Sequence, residues 1–475
     1  MLFNSLVFFG FIIIIFLVYS RLRLRGQNGF LLVASYVFYG YWDWRFTFLL
    51  LTSTVVDFWV GQRLHTAGNQ NHKKLLLLVS IAVNLGILGF FKYFNFFIDS
   101  AASALAAIGF EPHLPVLRLI LPIGISFYTF KTLTYTIDIY RGKLKPTENF
   151  IDYALFVSFF PQILAGPIER ASNLLPQISS PRQITREKVL TGLNLVLLGY
   201  FKKVAIADTL APIVGSIFDS PGGMSSGQLW TGVYAYTFQI YGDFSGYTDI
   251  ARGISKILGF ETMENFNAPY LSRSITEFWR RWHISLSTWF RDYLYVPLGG
   301  NRSSKARTYV NLIITMFLCG LWHGAAWVFV LWGLLHGIYL IGHRIILWGN
   351  KPNLSRPRTL SGWVTDIVKM FLTFHLVALA WVLFRSSSLE SALVYLERLF
   401  RFEQFTGFSP SVLFAGGLLI ALDVAQTWIG SQTWLIERPG FSVVRYAVTG
   451  ILIVSILSAT IAHMGTTTPF IYFQF

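Results

Sequence analysis

"NLIITMFLCGLWHGAAWVFVLWGLLHGIYLIG", residues 311–342, runs for 32 residues without one Asp, Glu, Lys or Arg. As a single helix rising about 1.5 Å per residue it would reach ~48 Å, well beyond the ~30 Å hydrocarbon core of a bilayer. The run, with its flanks 308–346, is therefore read as a bent or doubled membrane helix. Two histidines, His323 and His336, stand inside it.

The same character extends in both directions. Of 475 residues, 54% are hydrophobic, 17% aromatic and 13% charged, too little polar surface for a soluble domain of this size. Apolar runs recur near 3–20, 29–42, 46–61, 75–98, 119–138, 151–166, 189–218, 228–258, 366–384, 411–429 and 446–465. The expected class is an all-α polytopic membrane protein of roughly ten to thirteen spans. The first run lacks a cleavage site and is followed by "RLRLR" (21–25), so it reads as a retained span with the N-terminus outside. The net charge of +15 is assigned to cytoplasmic loops, not to nucleic-acid binding. The sole cysteine, Cys319, excludes an intrachain disulfide framework and a cysteine metal cluster, and is read as a small buried core residue.

Gly and Pro interrupt "LPIGISF" (121–127), "FFPQILAGPIER" (159–170) and "LAPIVG" (210–215). Lipid cannot satisfy non-helical backbone, so these breaks predict an enclosed, partly wet interior. No repeat or linker divides the chain, and 1–475 is read as one membrane domain.

The longest charged stretch between spans is 265–307. From Arg273 to Arg307 it holds seven basic residues against Glu277 and Asp292, which marks it as cytoplasmic. Tryptophans and tyrosines alternate with its arginines. Two readings stand: an interfacial helix on anionic lipid, or a landing site for a phosphorylated donor such as coenzyme A or a phosphopantetheine carrier. In the second reading Arg280, Arg281 and Arg291 bind the donor.

Most of the nine histidines are incidental: His65, His72 and His113 sit in polar loops, while His375 and His463 have hydrogen-bonded packing as the default. His323 differs. Counted as helix from Arg307 it lies ~24 Å along the axis, deep in the bilayer, where an ionisable group is a functional-site hypothesis. An imidazole buried in apolar surroundings stays neutral and available as a base. Gly324, Ala325 and Ala326 beside it leave room for a substrate or for a close helix contact. His283 lies on the basic segment between tryptophans and arginines; His336 is read as structural. No G-x-S-x-G elbow, phosphate loop or H-E-x-x-H motif competes. Asp243 and Asp249 in "YGDFSGYTDIARG" (241–253), with Arg252 nearby, are expected to form an internal salt bridge or hydrogen-bonded network, with a proton relay as the alternative.

Taken together, "LPIGISFYTFKTLTYTIDIYRG" (121–142), "FFPQILAGPIER", "YGDFSGYTDIARG", "FWRRWHISLSTWFRDYLYVPLGGNR" (278–302), "GLWHGAAW" (320–327) and "AWVLFRS" (380–386) resemble the membrane-bound O-acyltransferases. The likeness covers essentially the whole chain and points to the bacterial branch that modifies alginate, peptidoglycan and teichoic acids. It implies a ring of tilted helices around a thin centre, with cytoplasmic and outer funnels. It also implies catalysis by His323 and His283, the family's two signature histidines. The implied function is transfer of an acyl group, acetyl by preference, from a cytoplasmic thioester to an extracytoplasmic polysaccharide. Acetyl-CoA is the expected donor substrate, with no tightly bound cofactor and no metal. The implied setting is the bacterial inner membrane and the polysaccharide biosynthesis machinery, with a hydrolase-like, SGNH-type acetyltransferase partner outside. D-alanyl transfer from a carrier protein is the alternative within the family, and a polysaccharide exporter the alternative of another class.

The tail "TTTPFIYFQF" (466–475) is the remaining expectation. Run 446–465 follows Arg445 and is long enough to cross, so the C-terminus is expected outside. The tail resembles the tyrosine-bearing terminus of the small partner used in D-alanyl transfer. Tyr472 is accordingly expected to point towards His323 as an acyl relay, with an aromatic interface anchor as the alternative.

Overall fold

The apolar runs become helices, and no strand forms among the described residues. The computed structural model describes residues 1–110, 117, 119–302, 304–346, 359–402, 405–429, 442–463 and 470–471. Among the described residues, five helices are long and apolar enough to cross a bilayer, and Leu6–Tyr19 and Tyr446–Ala462 are shorter apolar helices. The five fall short of the span count expected from hydropathy because several runs are broken or carry inward polar residues that lower their mean hydropathy. The chain packs as two compact units, residues 1–196 with 250–263, and residues 197–249 with 264–475.

The first unit contains α1 (Leu6–Tyr19), α2 (Leu24–Gly40), α3 (Phe46–Thr66), α4 (Gln70–Ala107, through a π-turn at Gly89–Tyr93), α5 (Ile125–Tyr140), α6 (Phe150–Ser158) and α7 (Ala171–Ser179). Fully buried Asp57 ties α3, α4 and α5 together. The Ser80 hydroxyl donates to its Oδ1 at 2.6 Å and Asn84 Nδ2 to its Oδ2 at 2.7 Å. Asn84 Oδ1 accepts from Ser53 at 2.5 Å and from Thr132 at 3.1 Å. Apolar packing distinguishes poorly between helices and lipid, so hydrogen bonds of this kind fix the helix register.

The two interrupted motifs of this unit meet. Gly124 has φ +79°, and a Cβ there would run into the Ile163 carbonyl, so only glycine allows this approach. Lys131 reaches from α5 to the second motif, its Nζ 3.2 Å from Gln162 Oε1 and over the Phe156 ring. The breaks at 121–127 and 159–170 are thus buried in protein, as lipid-depth backbone must be.

Helices α8 (Arg186–Phe218, with a π-turn at Phe201–Ala207) and α9 (Ser226–Ile257) run through both units. They touch backbone to backbone at glycines seven residues apart. A Cβ on Gly192 would lie 2.7 Å from the Gly253 carbonyl, and one on Gly246 would lie 2.7 Å from the Gly199 carbonyl. The expected break at "LAPIVG" does not occur: Pro212 sits inside continuous helix Asp208–Phe218. The π-turn directly before it loosens the hydrogen-bond ladder and absorbs the irregularity that proline imposes.

The second unit adds α10 (Ile275–Arg281), α11 (Ile284–Phe290), α12 (Lys305–His323), α13 (Trp327–Ile346), α14 (Leu360–Arg385), α15 (Leu389–Leu399), α16 (Pro410–Ile429) and α17 (Ser442–Ala462). The opening stretch is a doubled helix: α12 rises to His323, turns through Gly324–Ala326, and α13 returns. A Cβ on Gly320 or Gly333 would overlap the carbonyl of Phe329 or Met316 on the facing helix. Small residues let these backbones approach.

Candidate active site

Residues 265–290 fold inward. Trp282 and Leu286 are fully buried, Phe278 nearly so, and the 3₁₀ turn Pro269–Leu271 precedes α10. The expectation of a surface helix lying on lipid fails for this part, because its tryptophans and phenylalanines supply core. Ser274 starts α10, its hydroxyl accepting from Glu277 N at 3.2 Å, and Glu277 Oε2 accepts from Arg273 N at 2.9 Å.

His283 links α10 to α11. Its backbone lies in the left-handed region, φ +43° and ψ 54°, shared among described non-glycine residues only by Ala268. Such a conformation costs about 1–3 kcal/mol and persists where neighbours over-determine it. Asn265 does so: its carbonyl accepts from Ile284 N at 2.9 Å, and its Oδ1 accepts from Ser285 N and Oγ at 3.2 and 2.9 Å. The kink aims the imidazole inward, where it is fully buried. Burial pushes its pKa down to about 3, so it is neutral near pH 7.

His323 ends α12 and is 2% exposed. Its ring centroid lies 6.3 Å from that of His283. Trp332 and Phe384 meet it edge-on at 5.1 and 5.2 Å, and Trp322 lies 5.8 Å from His283. Phe244 closes the His283 side at 4.7 Å. Two imidazoles 40 residues apart in sequence thus share one aromatic enclosure. The small residues after His323 serve the close helix contact, because the Phe329 ring fills the place a Gly324 side chain would take.

The matched family profile is that of MBOAT, the membrane-bound O-acyltransferase family, over residues 114–384. The chain is a membrane-bound O-acyltransferase. It is 44% identical over 409 residues to a probable alginate O-acetylase AlgI of Azotobacter vinelandii, covering 86% of this chain and 79% of that one. It is 37% identical over 430 residues to a peptidoglycan O-acetyltransferase of Helicobacter pylori, covering 84% and 79%. A teichoic acid D-alanyltransferase of Bacillus subtilis is 30% identical over 285 residues, 58% of this chain and 71% of that one.

The other residues singled out in this O-acyltransferase divide sharply. Arg280 is exposed, but Arg281 pairs with Glu277 Oε1 at 2.9 Å and donates to the Asn267 carbonyl at 3.2 Å. Arg291 is exposed and pairs with Asp292 at 2.7 Å. His336 is fully buried, stacked on Phe278 and edge-on to Trp279 and Trp332, as a packing role requires. His375 bonds the Phe371 carbonyl at 2.8 Å and the Tyr234 hydroxyl at 3.0 Å.

The acids of 241–253 form salt bridges, with lysines that sequence reading passed over. Lys202 pairs with Asp249 at 2.9 Å, and Lys203 with Asp243 at 2.6 Å and Asp208 at 2.7 Å. The signal was present: "FKK" (201–203) places two lysines within an apolar run, where they need acids. Asn265 was also missed, and nothing in its sequence context marks it.

Tyr472 lies outside the described residues. Phe470 and Ile471 are inside them and both are buried. Phe470 stacks on Tyr247 at 4.5 Å and lies 5.8 Å from Phe244.

Proposed function

We propose that this O-acyltransferase moves an acetyl group from a cytoplasmic thioester to an extracytoplasmic polysaccharide, with His323 and His283 as its catalytic pair. The observation carrying the reading is the buried pair of imidazoles 6.3 Å apart. In the proposed step, His323 takes the proton of an acceptor hydroxyl as its oxygen attacks the thioester carbonyl. The C–S bond breaks and the leaving thiolate takes a proton. His283, neutral and fixed by its backbone kink, orients the donor carbonyl or hydrogen-bonds the developing charge. Acetyl-CoA is the donor in this reading, with the exposed Arg280 and Arg291 available for its phosphates.

Tyr472 is proposed as the first acceptor. A phenol has an ordinary pKa near 10 and leaves an ester more readily than a sugar alkoxide. Its acetyl ester can pass to the serine of a hydrolase-like partner outside, in a bacterial inner membrane with both termini of this chain on the outer side. The relatives acting on alginate and peptidoglycan support a polysaccharide acceptor, and their coverage of this chain favours acetyl over D-alanyl transfer. The test is mass spectrometry of the cell-surface polysaccharide from wild-type and deletion cells. Loss of O-acetyl groups is expected; loss of D-alanyl esters selects the other reading, and an unchanged polymer rejects both.

A further inference from the structure

Asp243 ties the C-terminal segment to α9. Ile471 N donates to Asp243 Oδ2 at 2.6 Å, and the other oxygen, Oδ1, is held by Lys203 Nζ at 2.6 Å. Lys203 is in turn fixed by Asp208. Asp243, Lys203, Phe470 and Ile471 are all more than nine-tenths buried. A backbone N–H given to an ionised carboxylate is among the stronger hydrogen bonds. It would be costly to leave unmade at this depth.

One turn of α9 sets out the whole arrangement. Asp243 takes the backbone of residue 471, while Phe244 and Tyr247 take the ring of residue 470. Phe244 also meets the His283 imidazole, at 4.7 Å. Phe244 thus contacts both the docked ring and one of the two catalytic imidazoles. Residue 472 follows directly on the anchored N–H.

We infer that Asp243, braced by Lys203, is a positioning residue that latches residues 470–471 beside His283 and so presents the adjoining Tyr472 for acyl transfer. The inference rests on the relay reading above but concerns different residues. The latch predicts that docking depends on one donor, the Ile471 N–H. It also predicts that the Asp243–Lys203 ion pair is needed for the docking and not only for the fold of α8 against α9.

The test uses the full chain in membranes, with a diazirine-bearing phenylalanine analogue at position 470 and mass spectrometry of the photo-cross-linked peptides. Asp243→Ala removes one of the two buried carboxylates on Lys203 and so perturbs the fold as well as the latch; the deciding variant is therefore Ile471→Pro, which deletes the N–H and leaves the ion pair intact. Cross-linking to residues 241–250 is expected to fall about tenfold or more, the loss that one charge-assisted hydrogen bond implies. Acyl transfer should fall with it at unchanged protein level, and Ile471→Val, which restores the N–H, should restore both. Undiminished cross-linking in Ile471→Pro overturns the latch. Lost cross-linking with normal transfer overturns its positioning role. Failure of the relay is told apart by Tyr472→Phe, in which normal transfer with intact cross-linking rejects the tyrosine as acceptor.

Discussion

Replacing Gly333 by alanine tests whether the catalytic pair depends on the tight turn of the doubled helix. The new Cβ would overlap the Met316 carbonyl oxygen and lie 3.0 Å from Gly320 Cα, both on α12. Neither atom is the end of a flexible side chain. Restoring an ordinary C···O separation of ~3.3 Å requires the helices to part by about 1 Å. Overpacking of this kind costs about 1–3 kcal/mol, and a misplacement of about 1 Å at reacting groups can lower a rate about a hundredfold. His323 ends α12 and Trp332, its edge-on neighbour, precedes Gly333, so the parting acts on the enclosure directly. Gly337→Ala, one turn further along α13, is the control. Its nearest obstacle is the terminal methyl of Ile313 at 3.0 Å, which can swing aside, and alanine gains helix propensity of about 1 kcal/mol. Acyl transfer in membranes, normalised to protein amount, and thermal stability in detergent should both drop for Gly333→Ala and hold for Gly337→Ala. Equal behaviour of the two variants would refute the packing argument.

The arginines separate in the same manner. Arg280→Glu should raise the donor concentration for half-maximal rate, less so at high salt, whereas Arg281→Glu breaks the pair with Glu277 and should lower the amount of folded protein instead; matching effects would reject the distinction. For His283, with its pKa held near 3 in the folded state against about 6.5 unfolded, the sign is fixed. Above pH 6.5 nothing is lost, but below it the unfolded chain binds a proton the folded one refuses. That removes about 2 kcal/mol of stability by about pH 5. His283→Asn, which tolerates the left-handed backbone, should therefore show a smaller drop in Tm from neutral to mildly acid pH than the wild type. An equal drop would place the acid sensitivity elsewhere.

Much of the fold was legible because hydropathy and Gly/Pro breaks are local signals. The doubled helix follows from the length of 311–342 alone, and the breaks at Gly124 and Pro161 fall where sequence put them. Pairings between distant segments were not legible. His283 looks like a surface residue among arginines; only the kink held by Asn265 turns it towards His323. Lys202, on another helix and 47 residues away, pairs with Asp249, and no local spacing announces it. Pro212 looked like a break because the π-turn before it has no sequence signature.

The central claim is that His323 is the base for acyl transfer. The direct measurement is transfer of labelled acetyl from acetyl-CoA in membranes containing His323→Ala, with protein amount and thermal stability matched to wild type. The account predicts that transfer falls to background while the folded protein persists. Wild-type transfer by a well-folded His323→Ala protein would contradict it.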